Sequence, residues 1–390
     1  MRICLVGPCS PHDLQQYLDD FDPTEYSEIE FYRGIPVSTL AVKLLQNGHD
    51  VEIITSAFGL INEKLVFNGL KLMITIVKST ESTKIRALTL FRSDRKNLSK
   101  ILEESKADVY HAHWTYEFAL AALSVRKNVL VSAHDAPMKI LYFYRDPYRF
   151  LRFVMAVIVR LRTNNLAAVS PYLAQTWRKQ MRWHKPIMIL PNFTPVEMLE
   201  EKITLSRDKK TVLCISDSSR LKNVKSLVNA WKFVRTIHPE AKLRLIGNGL
   251  GIAEEIHQWA KLNELSEGIE WIGYVERSLV VQELNHATIL CHPSLEESHS
   301  LVLVEALARG LPIVGGMHSG AVPWTLGDAG LLVDVKSKME IAKAINELLL
   351  DLGLRARLSE LAQIRSREFF SEGDNLPNYI QAYSEILNHK

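Results

Sequence analysis

Ile289-Leu290-Cys291-His292-Pro293-Ser294-Leu295-Glu296-Glu297-Ser298-His299-Ser300-Leu301-Val302-Leu303-Val304-Glu305 is the stretch on which the reading of this chain rests. The run Ile289–His292 has the length of a buried strand, and Pro293 ends it because proline cannot donate to a sheet ladder. Small and acidic residues make a turn, and a helix-forming run rich in Leu, Val and Ala begins near Ser300. Strand, turn and helix in that order are the building unit of an open parallel sheet. The amides of Ser300, Leu301 and Val302 fall in the first helical turn, where they have no carbonyl partner inside the helix and can hold an anion. Glu297 precedes the helix, and Glu305 stands about one and a half turns inside it. Phosphate on the amides and hydroxyl groups on the two carboxylates is the pattern of a nucleotide sugar. The same spacing also fits an acidic first turn complementing the helix dipole, with one exposed glutamate.

The strand–helix unit recurs along all 390 residues. Strand patterns occur at 2–7, 51–55, 108–111, 129–133, 166–169 and 187–190, with a further strand or hairpin at 64–78. They resume at 211–216, 242–246 and 269–272, and continue past the opening stretch at 312–315 and 330–333. Helical patterns lie between them, such as Val37–Gln46, which stops at Asn47-Gly48. One core rarely exceeds roughly 250–300 residues, so the expected fold class is α/β with two doubly wound parallel-sheet domains facing across a cleft. The boundary is placed in the charged stretch 192–210. Residues 1–195 then form the first domain and 196–375 the second, with a terminal helix at about 376–390 crossing back to the first.

The formal net charge of +3 conceals an uneven distribution. Residues 1–195 carry a net +7 and residues 196–390 a net −4, while 126–185 alone holds twelve basic side chains against Asp135 and Asp146. Cys4, Cys9, Cys214 and Cys291 show no CxxC or paired spacing, which argues for a reducing compartment and against a disulfide framework or a zinc site. The N-terminal apolar run is too short for a signal peptide, and no stretch approaches the roughly 18 apolar residues of a membrane span. A cytoplasmic protein is expected, either free or resting on the inner face of the membrane.

The segment 293–308 resembles the E-x7-E motif of the retaining glycosyltransferases of family four, whose fold is GT-B. His238–Gly249 resembles that family's strand and glycine turn, Ile269–Val275 the strand beside its base pocket, and Pro191-Asn192 the turn closing its first domain. The resemblance runs from about residue 31 to residue 350. It implies transfer of a sugar from a nucleotide-diphosphate sugar to a hydroxyl of a saccharide or lipid-linked acceptor, with retention of configuration and no metal. The donor would sit on the second domain and the acceptor on the first. Glu297 would then contact the donor sugar and Glu305 the ribose hydroxyls, with the diphosphate on the amides of Ser300, Leu301 and Val302. Lys222 matches the family's diphosphate lysine. The expected upstream arginine is missing, since Ser216 and Asp217 stand there, and Arg220 is the nearest substitute. The departing phosphate oxygen would take the acceptor's proton.

In the first domain, Gly34 within Tyr32–Pro36 matches the loop whose backbone approaches the donor phosphates. His134 matches the family's active-site histidine, and His113 lies at a strand end expected to line the acceptor side. His111 reads as a structural histidine. His299 replaces an apolar residue of the motif. The pair Asp20 and Asp22 follows no strand and reads as solvated loop. Five arginines of 138–163 alternate with six tyrosines and phenylalanines, a composition suited to an anionic membrane surface or a lipid-diphosphate acceptor. The acidic second half and the lack of a binding motif exclude nucleic acid as the expected partner. A nucleotide-sugar epimerase of the same fold and a non-catalytic binding protein remain alternatives at this level. A dinucleotide oxidoreductase is disfavoured, because Gly7-Pro8-Cys9 is no G-x-G-x-x-G.

Overall fold

The computed structural model describes residues 1–79, 83–126, 128–195, 198 and 210–388. The chain forms two units: Met1–Phe193 together with the segment from Glu372 onward, and Thr194–Ser371. Most of the stretch read as a linker, 196–197 and 199–209, lies outside the described residues.

Unit 1 holds β1 (Arg2–Val6), β2 (Glu30–Phe31), β3 (Asp50–Phe58), β4 (Lys64–Asn68), β5 (Leu72–Lys78), β6 (Val109–His113), β7 (Val129–Ala133), β8 (Asn165–Ala168) and β9 (Ile187–Ile189). Their order in the sheet is β4-β5-β3-β1-β6-β7-β8-β9, with the short β2 antiparallel to β3. The segment 64–78 is an antiparallel hairpin on the sheet edge, with Lys64 opposite Val77 and Asn68 opposite Met73. Its central strands are continuous apolar runs because helices cover both faces, and Cys4, Val6, Ala112, Val131 and Ala168 are fully buried. The polar insertion after Cys9 is ordered by a short 3-10 helix at Pro11–Tyr17. Asp20 accepts from the Asn68 amide, and Asp22 from the amide and hydroxyl of Thr24, so both carboxylates serve the loop itself.

The last two helices are Leu352–Phe370 and Glu372–Asn388. The expected break at 371–377 reduces to Ser371, since Pro377 lies inside the final helix near its start. As the sixth residue of that helix it removes one i→i−4 hydrogen bond, the one that would run to the Gly373 carbonyl. This final helix packs with unit 1. Tyr383 and Tyr379 are buried, and Tyr379 donates to the carbonyl of Pro191 at 3.1 Å.

Unit 2 is a parallel sheet ordered β12-β11-β10-β13-β14-β15, made of β10 (Thr211–Ile215), β11 (Lys242–Ile246), β12 (Ile269–Gly273), β13 (Ile289–His292), β14 (Ile313–Gly316) and β15 (Gly330–Val333). Two apolar layers pack on its faces, one around Trp231 and Ile345 and the other around Leu303, Leu307 and Phe370. Sequential strand order reverses in each unit: between β1 and β6 in unit 1, and between β10 and β13 in unit 2. At such a reversal the connections leave to opposite faces and open a crevice at the carboxyl ends of the strands. Among the described residues no helix is long and apolar enough to cross a membrane.

Candidate active site

In unit 2 the two strands flanking the reversal, β10 and β13, run in parallel register, with Val212 beside Ile289. The loops that follow them, 216–223 and 293–300, are tied together by the Leu295 amide donating to the Leu221 carbonyl at 2.8 Å. Asn223 adds a second tie. It occupies the left-handed region at φ 56°, which asparagine tolerates, and its amide nitrogen donates to the carbonyls of Pro293 (3.1 Å) and Val335 (2.9 Å). This clamp brings Lys222 Nζ to 2.7 Å from Glu297 Oε1. His292 Nε2 donates to the same oxygen at 3.0 Å. Burial raises the Glu297 carboxyl, but the Lys222 ammonium and the His292 hydrogen bond outweigh it and hold the group well below the usual carboxylate range. Glu297 is therefore an anion at neutral pH. Its backbone carbonyl is fixed by the Ala321 amide at 2.8 Å.

The helix Leu301–Ala308 starts immediately beyond, capped at Ser300 without a side-chain hydrogen bond. Its first-turn amides have no carbonyl partner inside the helix, and the Ser300 side chain caps none of them. Glu305 is buried inside this helix, and its Oε1 meets Arg277 Nη2 at 2.6 Å. The glycine turn after β11 lies flat on Ser216–Ser218. A Cβ at Gly247 would stand 1.7 Å from the Ser216 carbonyl oxygen, and one at Gly249 2.0 Å from Ser218 Oγ. Where an arginine was expected, Asp217 accepts from the Ser219 amide at 2.8 Å and closes a tight turn. Arg220 is exposed and has no partner among the described residues. His299 packs between Trp324 and Phe370, with ring centroids at 5.8 and 5.4 Å.

In unit 1 the strand ends flanking the reversal carry Gly7, directly after β1, and His113, which ends β6. A Cβ on Gly7 would come within 2.9 Å of His113 Cβ, and one on Gly34 within 1.7 Å of the Pro8 carbonyl oxygen. Both glycines are thus required by close approach of backbone to neighbouring atoms. His113 Nδ1 lies 3.0 Å from His134 Nε2. His111 lies against His113 at 4.2 Å between centroids, the rings tilted by 34°, and bonds Tyr383 Oη (2.9 Å) and Ser132 Oγ (2.8 Å). Burial pushes His134 down to about 4 and His111 to about 3, and depresses His113 strongly, so all three rings are neutral near pH 7. Below them Asp135 takes the Tyr116 hydroxyl at 2.8 Å on each oxygen. The Arg152 guanidinium stacks on Tyr116 at 3.7 Å and faces Glu117 at 3.6 Å.

Residues 37–197 match the family described as Glycosyltransferase Family 4, and residues 196–365 match Glycosyl transferases group 1. Together the two models span residues 37–365, and the chain is a glycosyltransferase of the GT-B fold. Over 365 residues this glycosyltransferase is 23% identical to the N-acetyl-alpha-D-glucosaminyl L-malate synthase of Bacillus anthracis, covering 88% of the chain and 92% of that protein. Among solved structures it resembles a sucrose-phosphate synthase of Thermosynechococcus elongatus, with 17% identity, TM-score 0.76 and full coverage of both chains. It also resembles HepE of Anabaena, solved in complex with UDP and glucose, with 16% identity and TM-score 0.69 over 98% of this chain and 99% of that one. It is a nucleotide-sugar-dependent transferase that moves a sugar to an acceptor. Among the described residues, no group of three or more His, Cys, Asp and Glu is placed to hold a metal ion.

The structure brings Lys222, Glu297 and the amides of Ser300, Leu301 and Val302 to one loop cluster, and His113 and His134 to another. Three participants escaped the sequence reading. His292 could be seen only as the last residue of a strand, Asn223 as a helix-start residue, and Arg277 as one solvated helical cation. Arg152, grouped with the surface arginines of 138–163, points inward. It stands three, four and seven residues before the buried Met155, Ala156 and Val159, and that shared helical face was the available signal.

Proposed function

We propose that the strand reversal of unit 2 binds the donor, that unit 1 binds a saccharide or lipid-linked saccharide acceptor, and that the product enters a cell-surface polysaccharide or glycolipid. The observation that supports this most is the Lys222–Glu297 pair, 2.7 Å long, four residues before the helix Leu301–Ala308, whose first turn has no side-chain cap from Ser300. An ammonium and a set of oriented amides are what a leaving diphosphate needs, because negative charge grows on it as the glycosidic bond breaks. Glu297, kept ionised by its two partners, is an acceptor for sugar hydroxyls, and Glu305 for those of the ribose. Arg220, exposed and without a partner among the described residues, supplies the second charge in place of the missing arginine. Gly34 lets backbone approach the phosphates, and His134 serves the sugar.

HepE, solved with UDP and glucose, makes uridine diphosphate sugars the first donors to try. The full chain is incubated with a panel of uridine, guanosine and adenosine diphosphate sugars and saccharide acceptors, and transfer is compared with Glu297→Ala and His134→Ala. Loss of transfer in both variants supports the assignment; full transfer by both sinks it.

We assign the peripheral location, on the inner face of the cytoplasmic membrane, to the helical pair Pro137–Tyr144 and Pro147–Arg162. Tyr142, Phe150 and Leu161 are exposed there beside Arg145 and Arg162. Retention on vesicles containing anionic lipid at low salt, lost at high salt, is the expected result. Equal recovery in the supernatant at both salts removes the location and leaves the transferase assignment standing.

A further inference from the structure

His113 is 2% exposed, and its ring makes a 3.0 Å hydrogen bond to His134. Three observations fix the direction of that bond. Both rings are neutral, so one nitrogen donates and the other accepts. His113 Nε2 is buried and has no hydrogen-bond partner among the described residues. An orphaned buried N–H is rarer and costlier than a buried lone pair, so the His113 proton belongs on Nδ1. His113 then donates to His134 Nε2, and His134 carries its own proton on Nδ1. That nitrogen has no hydrogen-bond partner among the described residues.

His113 is closely packed. Gly7 lies against its Cβ so closely that an added methyl would stand at 2.9 Å. His111 lies against its ring at 4.2 Å between centroids and is itself pinned by Tyr383 and Ser132. Neither neighbour makes use of the ring's lone pair.

We propose that His113 is a positioning residue that locks His134 in the tautomer with its proton on Nδ1, so that His134 meets the donor as a hydrogen-bond donor and never as a base. This rests on the placement of His134 in the active site, and it gives His113 a role other than direct contact with an acceptor. A ring fixed in this way is ready to donate to a sugar hydroxyl or a phosphate oxygen before the ligand arrives, so no tautomer change has to accompany binding.

The test uses the full chain labelled with 15N-histidine, near pH 7, and long-range proton–nitrogen NMR. The His134 resonances are assigned by their loss in His134→Ala. The expected spectrum has a protonated, pyrrole-type Nδ1 and a pyridine-type Nε2. In His113→Ala, water replaces the ring beside Nε2, and His134 shifts toward the Nε2–H form that free histidine prefers. In His113→Asn the side-chain amide takes the place of Nδ1 as donor and restores the wild-type pattern. A wild-type His134 protonated on Nε2, or a pattern unchanged in His113→Ala, overturns the proposal. If His113→Ala fails to fold, the wild-type spectrum and the Asn variant still decide it. Failure of the underlying reading shows elsewhere, as full transfer activity in His134→Ala with the tautomer assignment intact.

Discussion

Replacing Lys222 by Met strands the carboxylate of Glu297, and the structure sets the scale of the effect. The two side chains are 23% and 11% exposed, so the pair is closer to an interior than to a surface ion pair. His292 remains as one partner, which limits the loss to about 2–3 kcal/mol. For a unit of this size that lowers its melting temperature by roughly 4–12 °C. The pH dependence carries the sharper signature. The folded pKa of Glu297 lies below its unfolded value, so its contribution is complete above about pH 4.5 and drains away as pH falls toward the folded pKa. In Lys222→Met, burial acts with less opposition and the folded pKa rises, so that acid-side loss shrinks. The double variant Lys222→Met/Glu297→Leu leaves no stranded charge and should recover most of the stability lost in the single lysine variant. Calorimetric unfolding of wild type, both singles and the double, at neutral pH and near pH 4, measures all of this. Additive losses in the double variant, or a Lys222→Met protein that melts like wild type, would refute the reasoning.

Further expectations concern backbone and buried histidines. Asn223→Ala removes two hydrogen bonds to carbonyls and puts alanine in the left-handed region, costing about 2–3 kcal/mol by chemical denaturation, and Asn223→Gly should recover about 1 kcal/mol of it. Gly247→Ala drives a methyl into the Ser216 carbonyl and displaces the loop carrying Lys222; titration calorimetry with UDP should show affinity falling by about tenfold or more if UDP is the nucleotide bound. His111 and His134 stay neutral when folded but bind protons near pH 6.5 when unfolded, so unit 1 loses stability as pH falls below about 6.5. In unit 2 burial and Lys210 lower His238 as well, by less than the large shifts of those two rings, so the loss there should be smaller over the same pH range. Hydrogen exchange at a series of pH values should show that difference between the units.

Much of the fold was legible because each central strand is a short apolar run set between helical patterns, and that rhythm survives without any tertiary information. The spacing of Glu297 and Glu305 was equally local, being one turn and one helix. What the sequence did not show were partners brought from far along the chain. Lys222 is 75 positions from Glu297, and only a resemblance pointed to it. Arg277, at the start of a helix, looks like any solvated cation until the fold sets it against Glu305. The basic block was misleading for a physical reason: counting charge over 126–185 treats every arginine as solvated. Arg152 instead spends its charge on Glu117 and on the face of Tyr116, beneath His134 and Asp135.

The final helix has a consequence for how the protein is made. Glu372–Asn388 supplies Tyr383, the hydroxyl that holds His111, and it follows unit 2 in the chain although it packs with unit 1. A ribosome must therefore add about 180 residues between the last strand of unit 1 and the piece that completes it, roughly 10–35 seconds of synthesis. During that interval the histidine ladder lacks its Tyr383 partner and the apolar bed of the helix is open to water. The nascent first unit is a client for chaperones until the last turns emerge, and a chain cut at Ser371 would leave that state permanent.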